Sequence, residues 1–228
     1  MRMALTKVLA FMILAAAWTP LTAHPNLAEG FTRLPEGSVV AVMPLDVELY
    51  SQTAGGVLEP QAEWTSQGAG NLKAAALARP LPGQGRFQEL PGDEDEQTAE
   101  LVHLHQAVAH AISLHHLGAM KLPSKHGKLD WTLGEEAAHV RDQIPADYAL
   151  FLFLRDSYAT AGRKAAIAVF ALLGGYMPGG AQVGYASLVD LRTGRVVWFN
   201  RMANATGDVR DPVAAHKTLD RLLAGFPG

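Results

Sequence analysis

A chain of 228 residues with 49% hydrophobic and 18% charged side chains can bury one sizeable core but scarcely two. Its formal charge of −3 gives no general attraction for nucleic acid or anionic lipid. It has no cysteine, so neither disulfides nor a lipid-bearing N-terminal cysteine can hold the mature form, which must rely on its core.

Residues 1–23 read as an export segment. Arg2 and Lys7 make a basic start, Val8 to Trp18 is an apolar stretch, and Leu21-Thr22-Ala23 ends on a small residue that suits a processing peptidase. Pro20 cuts the apolar stretch below the ~20 residues a spanning helix needs, so cleavage after Ala23 is expected, with no stable membrane span in the mature chain. Removal of this segment leaves 17 basic and 22 acidic side chains, a formal charge of −5. A soluble protein of a bacterial periplasm is the expected address.

His24 to Glu36 is short, polar and proline-bearing and reads as a leader, residues 24–37, into a single α/β domain, residues 38–228. Ser38 to Leu45 is apolar at nearly every position and reads as a first strand, with Pro44 removing one donor near its end. Asp46 to Tyr50 alternates, as a strand with one face outside the core does. From Glu59 to Arg79 the spacing is helical, with Trp64, Gly68, Leu72 and Ala75 or Ala76 on one stripe and Trp64 as its core anchor. Pro80 to Gly92 is rich in proline and glycine and reads as a loop. The acidic run Asp93-Glu-Asp-Glu96 precedes a long helix over Glu96 to Leu117, where carboxylates complement the positive end of the dipole.

That helix carries His103, His105, His110, His115 and His116 beside an apolar stripe of Leu101, Leu104, Val108 and Ile112. Two ligands on one helix reach a single ion when they are three or four residues apart, and no two of these histidines are. His103 and His110 share a face, seven residues or roughly 10 Å apart. A transition-metal site using the pair would need His126 or His139 as well; solvent-facing or internally bonded histidines are the plainer reading. Thr132 and Glu135 stand near capping-box spacing at the head of a helix over Leu133 to Ile144.

Tyr148-Ala-Leu-Phe-Leu-Phe-Leu154 is apolar at every position and is bounded by Asp147 and Arg155-Asp156. It reads as a strand covered on both faces, the middle of a sheet. Val183 to Leu191 and Val196 to Asn200 form a hairpin whose Gly194 supplies the positive φ of a short bulged turn. Between them, Arg163 to Met177 is the most apolar mature segment, too short to span a bilayer as a helix and too long for an ordinary hairpin loop. Its length and alanine content favour a buried helix covering the sheet. The alternatives are a partner-binding or self-association surface on Ile167, Phe170, Leu173 and Tyr176, or a segment that rearranges into a membrane. Asn204-Ala-Thr206 matches a glycan acceptor, and Asp211-Pro212 opens a last helix with Val213, Leu219, Leu222 and Leu223 on its apolar side.

No catalytic constellation is present: no cysteine nucleophile, no Gly-x-Ser-x-Gly elbow and no phosphate-cradling loop with its lysine. Asp46, Asp147, Asp156 and Asp190 lie near strand ends, where acids can converge on a site, but nothing in the sequence supplies a partner base. No enzymatic activity and no cofactor are expected.

Three stretches resemble one family. Val40-Ala-Val-Met-Pro-Leu45, the strand Ala146-Asp-Tyr-Ala-Leu-Phe151, and Asp190-Leu-Arg-Thr-Gly-Arg-Val-Val-Trp198 are similar to the TolB N-terminal, CsgG and LpoB group of envelope proteins. The resemblance implies an αβα sandwich, a mixed β-sheet flanked by helices. It also implies a non-enzymatic accessory or assembly factor that binds another cell-envelope component. Many members of that group are lipoproteins, and this chain lacks the cysteine. The insert of the CsgG branch contributes to a membrane pore, whereas the alanine-rich one here lacks the period-2 pattern of a barrel strand.

Overall fold

The computed structural model describes residues 26–91, 95–204 and 207–228. The export segment with its cleavage point, Asp93 and Glu94 of the acidic run, and Thr206 of the glycan acceptor lie outside them.

In chain order the elements are β1 (Val39–Val42), β2 (Asp46–Gln52), β3 (Leu58–Pro60), α1 (Ala62–Leu77), β4 (Arg86–Glu89), α2 (Glu96–His115), the short α3 (Val140–Gln143), β5 (Tyr148–Ala159), α4 (Ala161–Leu172), β6 (Gln182–Asp190), β7 (Val196–Asn204) and α5 (Pro212–Leu222). They build one mixed sheet flanked by helices. β5 is its spine. Along one edge β5 pairs in parallel with β1 (Val40↔Tyr148 to Val42↔Leu150) and then with β2 (Asp46↔Phe153 to Gln52↔Ala159). Along the other edge it pairs antiparallel with β6 from Tyr148 to Asp156. β4 lies parallel to β1, β3 antiparallel to β2, and β7 antiparallel to β6. β1 and β2 are thus one line of chain interrupted where Pro44 cannot donate.

Successive side chains of a strand point to opposite faces, and β5 shows why its sequence is apolar throughout. Tyr148, Leu150, Leu152 and Leu154 enter a core shared with Leu72, Ala75 and Ala76 of α1 and Leu219 and Leu222 of α5. Ala149 and Phe151 enter a second core with Leu101, Ala109 and Ile112 of α2 and with Leu133, Val140 and Ile144. Each fully buried Leu or Phe contributes about 1.5–3 kcal/mol, so a single strand holds both layers. Gly68 sets the approach of α1: a Cβ there would come within 2.9 Å of Leu49 Cδ1 and of Val209 Cγ2. The hairpin closes as expected on Gly194, φ 68°, where a Cβ would overlap the Gly134 carbonyl.

Several expectations need correction. The Pro80 to Gly92 loop contains β4, a short edge strand whose Phe87 alone is buried; four residues with one inward side chain leave no period to read. Residues 58–60 are strand, so α1 starts at Ala62. Trp64 is a half-buried lid rather than an anchor, edge-on to Tyr158 with ring centroids 6.0 Å apart. Leu133 to Ile144 is not one helix: Thr132 bridges Arg195 in extended chain, its hydroxyl accepts from Gly134 N, and a 3-10 turn precedes α3. The leader is part of the sheet's margin, with Ala28 N donating to Val197 O and Phe199 N to Asn26 O. Val213 is exposed, whereas Leu219, Leu222 and Leu223 are buried.

On α2 the buried side is turned by one residue from the expected stripe. Leu104 is exposed and His105 takes the inward place. The sheet below explains the exchange: the His105 ring stacks on Phe151 at 3.9 Å between centroids and bonds through Nε2 with the Ser187 hydroxyl. The largest correction concerns the insert. α4 does not cover the sheet; its one buried side chain is Arg163.

Candidate docking surface

α4 sits on an excursion that leaves β5 after its pairing with β6 ends at Asp156↔Gln182 and returns at β6. Thr160 starts the helix: its Oγ1 accepts from Arg163 N at 3.2 Å, while its N and Oγ1 both donate to Gln52 O at 3.0 Å. The Arg163 guanidinium, 7% exposed, donates to Pro178 O and to Ala54 O. It ties both ends of the excursion to the β2–β3 turn. The return is fastened by Ser157 N to Ala181 O (3.1 Å) and Ala181 N to Ser157 Oγ (3.0 Å). The helix ends at Gly174, φ 79°, with Gly175 N donating to Phe170 O. Phe170 lies so close to Gly175 that a Cβ there would overlap the ring. Backbone bonds and a buried cation, rather than an apolar seat, hold this arm.

What the arm presents is apolar. Val169 is 58% exposed, Phe170 44%, Leu172 87%, Leu173 80% and Tyr176 84%. Isolated exposed leucines are ordinary, but several on one element mark an interaction surface. Of the four residues expected to form such a surface, Phe170, Leu173 and Tyr176 are outward. Ile167 is half-buried and turned to a cavity of about 550 Å³ that it lines with Trp64, Tyr158, Lys164 and Arg210. Val169 and Leu172 were missed. Their signal was present: α4 has no polar residue after Lys164, so no side of it could be assigned to water.

Under the arm lies a polar brace. Asp156, 3% exposed, accepts from the Tyr158 hydroxyl and from Gln182 Nε2, both at 2.6 Å. Burial pushes its carboxyl up to about 6, against the pull of those two bonds. Burial and the Asp156 bond hold the Tyr158 hydroxyl well above its ordinary range. Arg210 pairs with Asp208 through two bonds of 2.8 and 2.6 Å and lies over the rings of Trp64 and Tyr158 at 4.3 and 4.1 Å. The Arg210 guanidinium in turn keeps Asp208 below the usual carboxylate range.

The remaining candidates do not assemble. Asp46 pairs with Arg155 at 2.6 Å, Asp147 accepts from Val39 N, and Asp190 accepts from Arg192 N and Thr193 N in the hairpin turn. Asp147 and Asp190 share one shallow cleft with Arg141 and Arg192, but each carboxylate is bonded to backbone. Asp46 and Asp156 lie elsewhere, so the four acids form no common centre. The metal alternative likewise finds no assembly: among the described residues no three His, Cys, Asp or Glu side chains gather in ligating geometry. His103 and His110 are exposed on α2 and His126 is exposed in a turn. His139 is taken by Asp95 at 3.1 Å. His105 is neutral, its imidazole driven down to about 3 by burial, and its contact with Ser187 is sealed in the core, out of any substrate's reach.

Among the described residues no helix is long and apolar enough to cross a membrane. No family model matches the chain, and no curated protein matches it. Among solved structures it is similar to the LpoB C-terminal domain from Salmonella enterica, at 16% identity over 78% of this chain and 87% of that one, TM-score 0.30. It is similar to the PelC dodecamer from Paraburkholderia phytofirmans at 15% identity over 86% and 93%, TM-score 0.36. A lipoprotein from Neisseria meningitidis matches at 13% identity over 75% and 81%, TM-score 0.30. LpoB is one of the names in the sequence resemblance, TolB and CsgG are not among these three structures, and at such scores no role passes from them to this chain.

Proposed function

We propose that this chain is an exported, non-enzymatic accessory or assembly factor, released after Ala23 into a periplasm. There it works as a single α/β domain that binds another envelope protein through α4 and the turn after it. The observation that carries the reading is an arm whose buried residue is an arginine and whose leucines face outward. Placing apolar surface in water forgoes about 25 cal/mol per Å², and these side chains are left uncovered by the rest of the described fold. Phe170, Leu173 and Tyr176 from the expected set, with Val169 and Leu172, form the docking face. The export segment and the family resemblance support the address and the absence of chemistry.

The test is co-purification from the native envelope after mild crosslinking, with Phe170→Asp and Leu173→Asp beside the natural chain. Both variants should melt within a few degrees of the natural chain and lose the associated protein. Retention of the same associated protein by both variants would overturn the reading.

A further inference from the structure

Resting on that docking reading, we propose that α4 is the inserted member of a helix-in-groove contact. The partner is a protein with an apolar groove whose rim carries a carboxylate beside Lys164 and a cation or hydrogen-bond donor at the Leu173 end. The spacing of the exposed anchors is the first support. Val169, Leu172 and the capping Leu173 stand at i, i+3 and i+4, the pattern by which a helix is read from a groove; Tyr176 lies beyond the Gly174 turn and adds an exposed ring beside that face. The surface is convex and preorganised: the Thr160 cap, the Arg163 bonds and the Phe170–Gly175 contact fix it before binding. Little ordering cost is then left for association.

Charge selects among occupants. Between Asp156 and Asp190 the chain has no acidic residue, and its only cations are Arg163 and Lys164. Arg163 is buried against carbonyl groups, so Lys164 is the arm's exposed positive charge, at its base. At its tip the last helical carbonyls carry the negative end of the dipole, which favours a cation or donor opposite. A bilayer is a poor match: helices that lie in lipid headgroups carry several Lys or Arg along the polar side, and this one carries a single lysine. A second copy is also a poor match. The groove on this chain with an aromatic floor, over Phe153 and Tyr185, has Arg155, Arg201 and one carboxylate, Asp46, on its rim, and Asp46 is already held by Arg155 and Gln106.

The experiment places a benzophenone-bearing residue at position 172 of the full chain in the cells that make it. After irradiation, the adduct is sequenced by mass spectrometry. The protein it identifies is then purified and titrated with the natural chain and with Leu172→Glu, Lys164→Glu and Lys164→Arg. An adduct to an apolar segment of another protein flanked by Asp or Glu is expected. Kd should weaken by about 100-fold for Leu172→Glu and by about fivefold for Lys164→Glu, mainly in the on-rate, with Lys164→Arg unchanged. If Leu172→Glu abolishes binding while Lys164→Glu leaves Kd unaltered, the acidic rim is wrong and the docking reading stands. Adducts confined to lipid or to a second copy overturn both.

Discussion

Helices α2 and α4 invert the usual relation between composition and burial. α2 is studded with histidine, yet it lays six residues, His105 among them, into the core. α4 is nearly all alanine and large apolar side chains, yet the one residue it buries is charged. The difference lies beneath them. α2 crosses a floor of Ala41, Ala149, Phe151, Val189 and Phe199, which must be covered. α4 stands beyond the point where β5 and β6 stop pairing, over a polar brace, with no apolar floor to meet. Burial is a property of a pair of surfaces, and hydrophobicity supplies one of them.

The largest effect that can break this comparison is a matched truncation. Ile112→Ala on α2 should cost about 2–5 kcal/mol through transfer loss and cavity. Leu172→Ala on α4 should fall within about ±0.5 kcal/mol, as surface changes do. Urea unfolding of the two variants measures both, and a cost above 2 kcal/mol for Leu172→Ala would place α4 in the core after all.

The next concerns pH, because each region has a titrating group buried against its preference. The Asp156 carboxyl is raised from 3.8 to about 6, so its contribution is fully present below pH 3.8 and is lost as pH rises through about 6. The His105 imidazole is lowered from 6.5 to about 3, so its contribution is present above pH 6.5 and is lost as pH falls toward 3. Each alone gives a slope of about 1.4 kcal/mol per pH unit within its window. Between pH 4 and 6 the two slopes oppose, and the natural chain should show little net dependence on either group. Asp156→Asn keeps an oxygen for Tyr158 and Gln182 and removes the burdened charge. It should gain about 1–3 kcal/mol at pH 7.5, gain nothing at pH 3.5, and expose the acid lability due to His105 in between. Denaturant midpoints across that range check all three points.

A smaller effect on stability than that of Ile112→Ala should come from the arm's anchor. Arg163→Met removes the bonds to Pro178 and Ala54 and should cost about 1–2 kcal/mol. Hydrogen exchange of residues 161–175 should quicken by tenfold or more while α2 stays protected. Exchange unchanged in the arm would mean that Arg163 does not hold it.

Much of the frame was legible along the chain. The unbroken run of β5, the β6–β7 turn on Gly194 and the start of α5 at Asp211-Pro212 are statements that neighbouring residues make about themselves, and the structure realises each. β4 was not legible, since a four-residue edge strand has one inward side chain and no period. The inward place of His105 depended on Ser187, 82 residues away. Of the docking face, the segment was legible and its orientation was not. The run from Arg163 to Met177 stood out by composition, and its burial was inferred from that composition alone.

By itself, then, the sequence determined the long central strand, the hairpin after it, the long helices and which segment is anomalous, because propensity, capping and alternation act over a few residues. Only the tertiary structure decided that the anomalous segment faces outward and that the histidines and strand-end acids stay apart. Those outcomes depend on which surfaces lie opposite, and strands far apart in sequence, such as β1 and β5 with Val40 opposite Tyr148, set them.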